Sequence, residues 1–290
     1  MVYQLAEGVN LHVLPTKQYK TIRIFIRFTA RLQQEVITKR SLLSSMLETN
    51  SLNYSDQTKL SAQLAELYGA SFGLSVRKKG NLHWLNAGIS FVNGEYVNDP
   101  NLFSQAVDFL KEVLFYPNIK NHQFDQLTFD LEKNNLRLYL ESLKEDKQTF
   151  ASYALQELYF ENSPEQKIPG LGVVEDLDKI TASSLASYYQ EMMANDQIDI
   201  FVVGDVDPDK AAEAVGQLPF ESRETVYPDL FYTQPQVNIV KERQVREPIV
   251  QAKLNLAYQT NVYYDEPERF ALMVFNGLFG GFPQDRKSVV

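Results

Sequence analysis

Residues 20–29 alternate without a break: Ile22, Ile24 and Ile26 fall on one side, Arg23, Phe25 and Arg27 on the other. A period of two is the mark of a β-strand with one buried face. The period then changes. Within 38–49, Leu42, Leu43, Met46 and Leu47 recur at helical spacing. Strand and helix periods keep trading places along the chain. Strands are expected at 9–14, ended by Pro15, and at 70–78 and 82–92, a hairpin turning at Lys78-Lys79-Gly80-Asn81. The Lys78-Lys79 pair reads as a solvated tip. Helices are expected at 57–68, capped by Asp56 and ended at Gly69, and at 101–115, broken by Pro117. Further helices follow at 121–145, with Asn121 or His122 as cap, at 147–160, and at 182–193 behind Thr181. The segment SPEQKIPGLG at 163–172 reads as a loop.

Residues 197–203 (QIDIFVV) form a strand that turns through Gly204-Asp205-Val206-Asp207 into a helix at 209–217, with Pro208 in its first turn. That turn lacks the glycine spacing of a phosphate-binding loop or a dinucleotide fingerprint. Pro219, Pro228 and Pro235 then interrupt a stretch without period, read as a linker. Strands near 236–241 and at 248–258 and a helix at 267–279 repeat the opening of the first block and stop there. Gly277-Leu278-Phe279-Gly280-Gly281 follows that helix rather than opening one, which suits a helix end. The chain thus divides into a first domain at 1–217, a linker at 218–235, and the incomplete start of a second domain at 236–290.

Composition narrows the chemistry. The 290 residues hold no cysteine, which excludes disulfides, thiolate nucleophiles and cysteine-held zinc or iron–sulfur centres. A net charge of −9 argues against a nucleic-acid partner, which calls for a basic face. The N-terminal stretch lacks the pattern of a signal peptide, and no window approaches the roughly 20 apolar residues of a membrane span. A cytoplasmic protein is expected. The three histidines, His12, His83 and His122, offer no pair at i, i+4 for aiming two imidazoles at one metal. No Gly-x-Ser-x-Gly elbow is present. Tyr153, Tyr159, Tyr188 and Tyr189 suit either a core or a contact surface.

The order of several segments resembles the pitrilysin/insulinase-type zinc peptidases (inverzincins). Its carriers are strand 20–29 with helix 38–49, Leu131-Glu132-Lys133 through Leu140 with Glu145-Asp146, and Gly172-Val173-Val174-Glu175-Asp176-Leu177 before Ile180-Thr181. Phe201-Val202-Val203-Gly204-Asp205-Val206 and Phe275-Asn276-Gly277-Leu278-Phe279-Gly280-Gly281 complete the series. The resemblance runs from about residue 5 to about residue 282. It implies an α+β fold, an antiparallel-rich sheet with helices packed on one face, followed by the truncated start of a second such half.

Active members carry an inverted His-x-x-Glu-His motif. At the corresponding place this chain reads Ser41-Leu42-Leu43-Ser44-Ser45. By the resemblance, Ser41 and Ser45 replace the two zinc histidines and Ser44 the general-base glutamate. The third ligand, counted from Glu132, falls at Tyr139, and nearby Glu141 points about 200° away around the helix. With every ligand replaced, no metal, no cofactor and no catalytic residue is expected. The resemblance places the chain in a non-peptidase bacterial YfmF-like branch associated with the 5-aminopentanol modification of elongation factor P. It implies a partner subunit, paired as a heterodimer with an active metallopeptidase paralogue around a chamber for a peptide or unfolded segment, with no nucleic-acid or membrane partner.

The family's substrate-holding Arg/Tyr pair would lie beyond this chain, and DRKSVV departs from the family pattern after Gly281, as a truncation or altered reading frame would produce. Two rival readings follow: an active zinc endopeptidase with an atypical ligand set, and a non-functional truncated fragment whose Phe270, Leu272, Val274 and Phe279 are left exposed.

Overall fold

The isoleucine stripe lies in the interior of a sheet. The structure is a computed structural model that describes residues 1–224, 230–235, 239–248 and 250–281. Its strands are β1 (Val2–Ala6), β2 (Val9–Pro15), β3 (Thr21–Arg31), β4 (Ser71–Lys79), β5 (Leu82–Val92), β6 (Ile119–Lys120), β7 (Gln123–Phe124) and β8 (Gln197–Gly204). The first five helices are α1 (Gln34–Thr49), α2 (Gln57–Glu66), α3 (Leu102–Phe115), α4 (Gln126–Glu145) and α5 (Lys147–Tyr159). Then come α6 (Pro164–Lys167), α7 (Val174–Leu177), α8 (Ala182–Asn195), α9 (Pro208–Val215) and α10 (Glu268–Asn276). Two compact units result, Met1–Lys253 and Leu254–Val290.

In the first unit, six strands form one sheet in the order β1-β2-β8-β3-β5-β4. Only β2 and β8 run parallel; the other neighbours are antiparallel. The antiparallel-rich α+β architecture expected from the sequence is therefore the one observed. Ile22, Ile24, Ile26 and Phe28 of β3 are buried with Val9, Leu11 and Val13 of β2, Ile198, Ile200 and Val202 of β8, and Leu85, Ala87 and Ile89 of β5. Leu42, Leu43, Met46 and Leu47 of α1 join this layer, as do Phe109 and Leu110 of α3 and Leu185 and Met192 of α8. Alternating faces bring these apolar positions to one side of the sheet, so helices packed there remove them from water together.

Local signals explain the helix boundaries. The Asp56 carboxylate accepts from Lys59 N at the start of α2. Thr181 and Ser184 form a reciprocal capping box on α8, and Asp207 caps α9 through the amides of Asp209 and Lys210. The turn at Gly204–Pro208 is thus a strand-to-helix connection.

Several expectations need correction. The helix read over 121–145 begins only at Gln126. Asn121 and His122 both have positive φ at the tip of the small β6–β7 hairpin, and the cap is Asp125, which accepts from Thr128 N. Asparagine and histidine tolerate this backbone region better than most side chains, so a tight turn there outcompetes the helix. The loop at 163–172 contains the single turn α6, with Pro164 in the first position. Lys78 is not a solvated tip residue: its ammonium donates to the carbonyls of Gln166 (2.8 Å) and Ile168 (2.6 Å). Burial pulls its pKa down to about 8. Tyr188 and Tyr189 are core residues, and the Tyr189 hydroxyl donates to Leu114 O at 2.8 Å.

The strands read near 236–241 and at 248–258 are not formed among the described residues, 239–241, 248 and 250–258; residues 236–238 and 249 lie outside them. A strand exists only when its amides and carbonyls find a ladder, and no described segment pairs with these. In the second unit, α10 is formed and ends in a π-type turn over Gly277–Gly281, with Gly280 at φ 116°. Phe270, Val274 and Phe279 are exposed, as expected, whereas Leu272 is half-buried.

Gly172 fastens the loop after α6 to the start of α1. Its φ is +89°, and a Cβ there would lie 2.0 Å from Thr38 Oγ1, the atom that accepts from Val173 N. Gly172→Ala is expected to cost about 2–3 kcal/mol, from positive φ plus the clash with a buried threonine. Gly69→Ala shares the positive φ (+73°) but meets nothing within 4 Å. It should cost only about 1 kcal/mol. Urea midpoints of the two variants check the difference, and equal losses would refute the steric argument.

Candidate functional site

The site that the resemblance designates lies where α1 meets α4. α1 turns Leu42, Leu43, Met46 and Leu47 into the main core, while Ile37, one turn before Ser41, packs in a smaller cluster with Leu32 and Ile168. Ser41 is buried, and its hydroxyl donates to Ile37 O at 3.3 Å. The Ser44 hydroxyl donates to Ser41 O at 2.7 Å. Ser45 is half-buried, and its carbonyl accepts from Thr49 Oγ1 at 2.9 Å. Such back-bonding is how short hydroxyl side chains satisfy their donor inside a helix. Tyr139 on α4 is 51% exposed. No hydrogen bond joins its side chain to any of the three serines among the described residues.

This donor set does not fit zinc. Neutral serine hydroxyls bonded to helix carbonyls and a phenol at the surface are not the imidazole, thiolate or carboxylate ligands zinc selects. Among the described residues no group of three or more His, Cys, Asp or Glu could hold a metal ion. Hydroxyls engaged in this way also leave no base to take a proton from an attacking water, the second half of what the family's peptidase chemistry requires.

What joins α1 to α4 instead is a polar seam. Thr49 Oγ1 shares its one proton between Ser45 O and Glu132 Oε1, the latter at 2.9 Å, and Asn50 Nδ2 donates to Thr128 Oγ1 at 2.8 Å. Glu48 reaches the other way, accepting from Leu74 N at 3.1 Å on the sheet-edge strand β4. Burial raises the Glu48 pKa, the Leu74 amide opposes this, and the Glu132 charge adds to the rise. In the sequence Glu132 serves only as a counting mark, and Glu48 escapes notice. The available signal is its position two helical turns after Ser41, on the same flank of α1.

The histidines stay apart. His12 stacks on Phe201, with ring centroids 4.7 Å apart, and its Nε2 lies 3.2 Å from Asp199 Oδ1. His83 is fully buried, and its Nε2 donates to Gly170 O at 2.9 Å. His122 sits on the β6–β7 hairpin, as above. Among the described residues no helix is long and apolar enough to cross a membrane.

Comparison with known proteins agrees with this geometry. The family described as "Peptidase M16 inactive domain" matches residues 179–286. The chain is 29% identical over 281 residues to the "Probable inactive metalloprotease YmfF" of Bacillus subtilis (strain 168), covering 96% of this chain and 66% of that protein. A crystal structure of a conserved protein from Enterococcus faecalis V583 superposes with a TM-score of 0.93 at 56% identity, covering 98% of this chain and 67% of that one. A peptidase M16 inactive domain from Pseudomonas fluorescens shares the fold at a TM-score of 0.62 and 18% identity, over 79% and 53% of the two chains. The sheet with its helices is that of an M16-type half. The family model matches residues 179–286, and the chain is a homologue of inactive M16-type metalloproteases. It spans about two thirds of the length of the first two relatives.

Proposed function

We propose that this protein is a catalytically inactive partner subunit that shapes a peptide-binding chamber together with an active metallopeptidase paralogue. The observation that carries the reading is the state of the vestigial positions: Ser41 and Ser44 are hydrogen-bonded into their own helix, and Tyr139 lies at the surface. A scaffold that keeps the M16 layer while losing its ligands retains shape as its contribution. In this reading residues 1–217 supply the folded half, 218–235 the connection and 236–290 the start of the second half. A cytoplasmic setting and an association with the 5-aminopentanol modification of elongation factor P belong to the same proposal and come from the sequence resemblance.

The test has two arms. The purified chain is assayed for bound zinc and for cleavage of an unfolded peptide; neither is expected. The tagged chain is then used to capture partners from its native lysate, and a paralogue with an intact His-x-x-Glu-His motif is expected at near-equal stoichiometry. Stoichiometric zinc with intrinsic cleavage would overturn the inactive assignment. Capture without any such paralogue would overturn the pairing.

A further inference from the structure

The face of β3 opposite the isoleucines carries chemistry that the M16 site does not use. Arg23, Phe25 and Arg27 alternate with the buried isoleucines and so project from the other side of the sheet. Register places Phe25 beside Phe201, Thr29 beside Trp84, and Arg77 across from Trp84. Arg27 is the centre of this face. Its guanidinium lies 4.2 Å from the Trp84 ring centroid, 5.2 Å from Phe25 and 5.6 Å from Phe201. Its Nε donates to Asn86 Oδ1 at 3.3 Å, and its two terminal nitrogens find no acceptor among the described residues. Three aromatic rings thus hold a planar cation in place with its fork open, the arrangement that suits bidentate capture of a carboxylate.

Cations outnumber carboxylates around Arg27. Arg23 extends over the gap left by Gly88, its Nη2 3.8 Å from where a Cβ would stand. Arg23, Arg77 and Lys79 are exposed, and the Lys79 ammonium lies 5.6 Å from the Trp84 ring centroid. The carboxylate in register with Arg27, Asp199, is engaged by its own neighbours: His12 and Asn10 meet Oδ1, and Gln197 Nε2 donates to Oδ2 at 3.2 Å. Burial lowers the proton affinity of Arg27, Asp199 opposes this, and nearby Arg77 adds to it. In a chain of net charge −9, this face gathers Arg23, Arg27, Arg77 and Lys79 around aromatic rings.

We propose that this face of the sheet binds an extended acidic peptide segment, with Arg27 forking a carboxylate and Phe25, Phe201 and Trp84 receiving apolar side chains beside it. Charge complementarity selects the occupant, and the alternation of cations with rings matches a chain that presents side chains to alternate sides. A polynucleotide fits less well, because it carries a phosphate at every residue and calls for a more extensive basic face than these four cations provide. The inference needs only this chain and is independent of the pairing proposal above.

The chain contains a single tryptophan, and it is Trp84 on this face, so its fluorescence reports occupancy. The full chain is titrated with a tryptophan-free decapeptide alternating glutamate and leucine, with its lysine-for-glutamate counterpart, and with a ten-nucleotide oligothymidine. A saturable change in emission is expected for the acidic peptide alone, weakening about tenfold or more between low and high salt. Arg27→Lys should weaken it about tenfold, since a lysine cannot fork or stack in the same way. The double variant Arg77→Glu/Lys79→Glu, confined to exposed side chains, should abolish it with the fold intact by circular dichroism. No saturable change, an equal response to the basic peptide, tighter binding of the oligonucleotide, or unchanged affinity in the double variant would each overturn the proposal.

Discussion

Arg40→Met is expected to be the most damaging single substitution in the first unit, costing about 3–5 kcal/mol. Arg40 is completely buried in α1 and makes three directed bonds. One terminal nitrogen donates to Asp196 Oδ2 at 2.6 Å and to the Tyr188 hydroxyl at 3.0 Å; the other donates to Phe28 O at 2.9 Å. The guanidinium therefore ties α1 to the end of α8 and to the backbone of β3. Burial by itself lowers the Arg40 pKa, but Asp196 and Tyr188 outweigh it and hold the charge more firmly than usual. Tyr188 in turn is pushed up to about 12, with burial the main cause.

Methionine at position 40 keeps the packing volume roughly constant but leaves a buried carboxylate and a buried carbonyl without their donor, which is the expensive half of breaking an ion pair. A drop in Tm of about 10 °C should accompany the loss. The double variant Arg40→Met/Asp196→Leu separates this explanation from simple loss of packing. If the cost lies in the orphaned charge, the double variant recovers most of the stability, because an apolar replacement of a whole buried pair is often nearly neutral. A loss under about 1 kcal/mol in the single variant, or a double variant no better than the single, would refute it.

Arg40 also shows where sequence reading stops. The periodicity of α1 identifies Leu42, Leu43, Met46 and Leu47 as core, and the structure buries all four. The same logic assigns an arginine to the solvated side, because charged side chains are buried only when a partner is supplied from elsewhere. Asp196 lies far along the chain, so nothing local announces it. Lys78 defeats the pattern for the same reason: its acceptors are backbone carbonyls of a distant loop, which no side-chain pattern records.

The strands of the first unit are legible where each has a one-sided apolar face. The short β1 leaves no such trace, being an edge strand with little buried surface to impose a period. At 236–258 local alternation suggests strands, but alternation states only a preference, and the ladder depends on a partner that the pattern does not supply. Of the vestigial positions, Ser41, Ser44 and Ser45 come from the family resemblance. The residues alone supply only the negative result that no metal-binding spacing is present. The basic-aromatic face is readable in part in the alternation of Arg23, Phe25 and Arg27, but the rings that complete it, Phe201 and Trp84, arrive through pairing with β8 and β5.

Acidification should unfold this protein partly through one histidine. His83 lies at the end of β5 on the covered face of the sheet, fully buried, with its pKa lowered to about 4. Burial is the main cause; the Arg40 charge lowers it further, Gly170 O raises it by accepting from Nε2, and Lys78 lowers it again. In the unfolded chain the same imidazole takes its proton near 6.5. Between these values the unfolded state binds more protons than the folded one, so stability falls as pH drops through the window from about 6.5 to about 4. The full window corresponds to about 3 kcal/mol.

The geometry gives the reason for the low affinity. Nδ1 is buried with no hydrogen-bond partner among the described residues, so a second proton would place a new donor against no acceptor and a new charge beside Arg40. Carboxylates elsewhere also take up protons in this range, so the diagnostic quantity is a difference between proteins. His83→Gln keeps a donor for Gly170 O and removes the titration. Urea midpoints of the two proteins at pH 7.5, 6, 5 and 4 should converge or cross as pH falls, with the parent losing about 3 kcal/mol more than the variant over the series. Parallel profiles would mean that His83 takes its proton as readily in the folded sheet as in water, and the assignment of this acid sensitivity to its burial would fall.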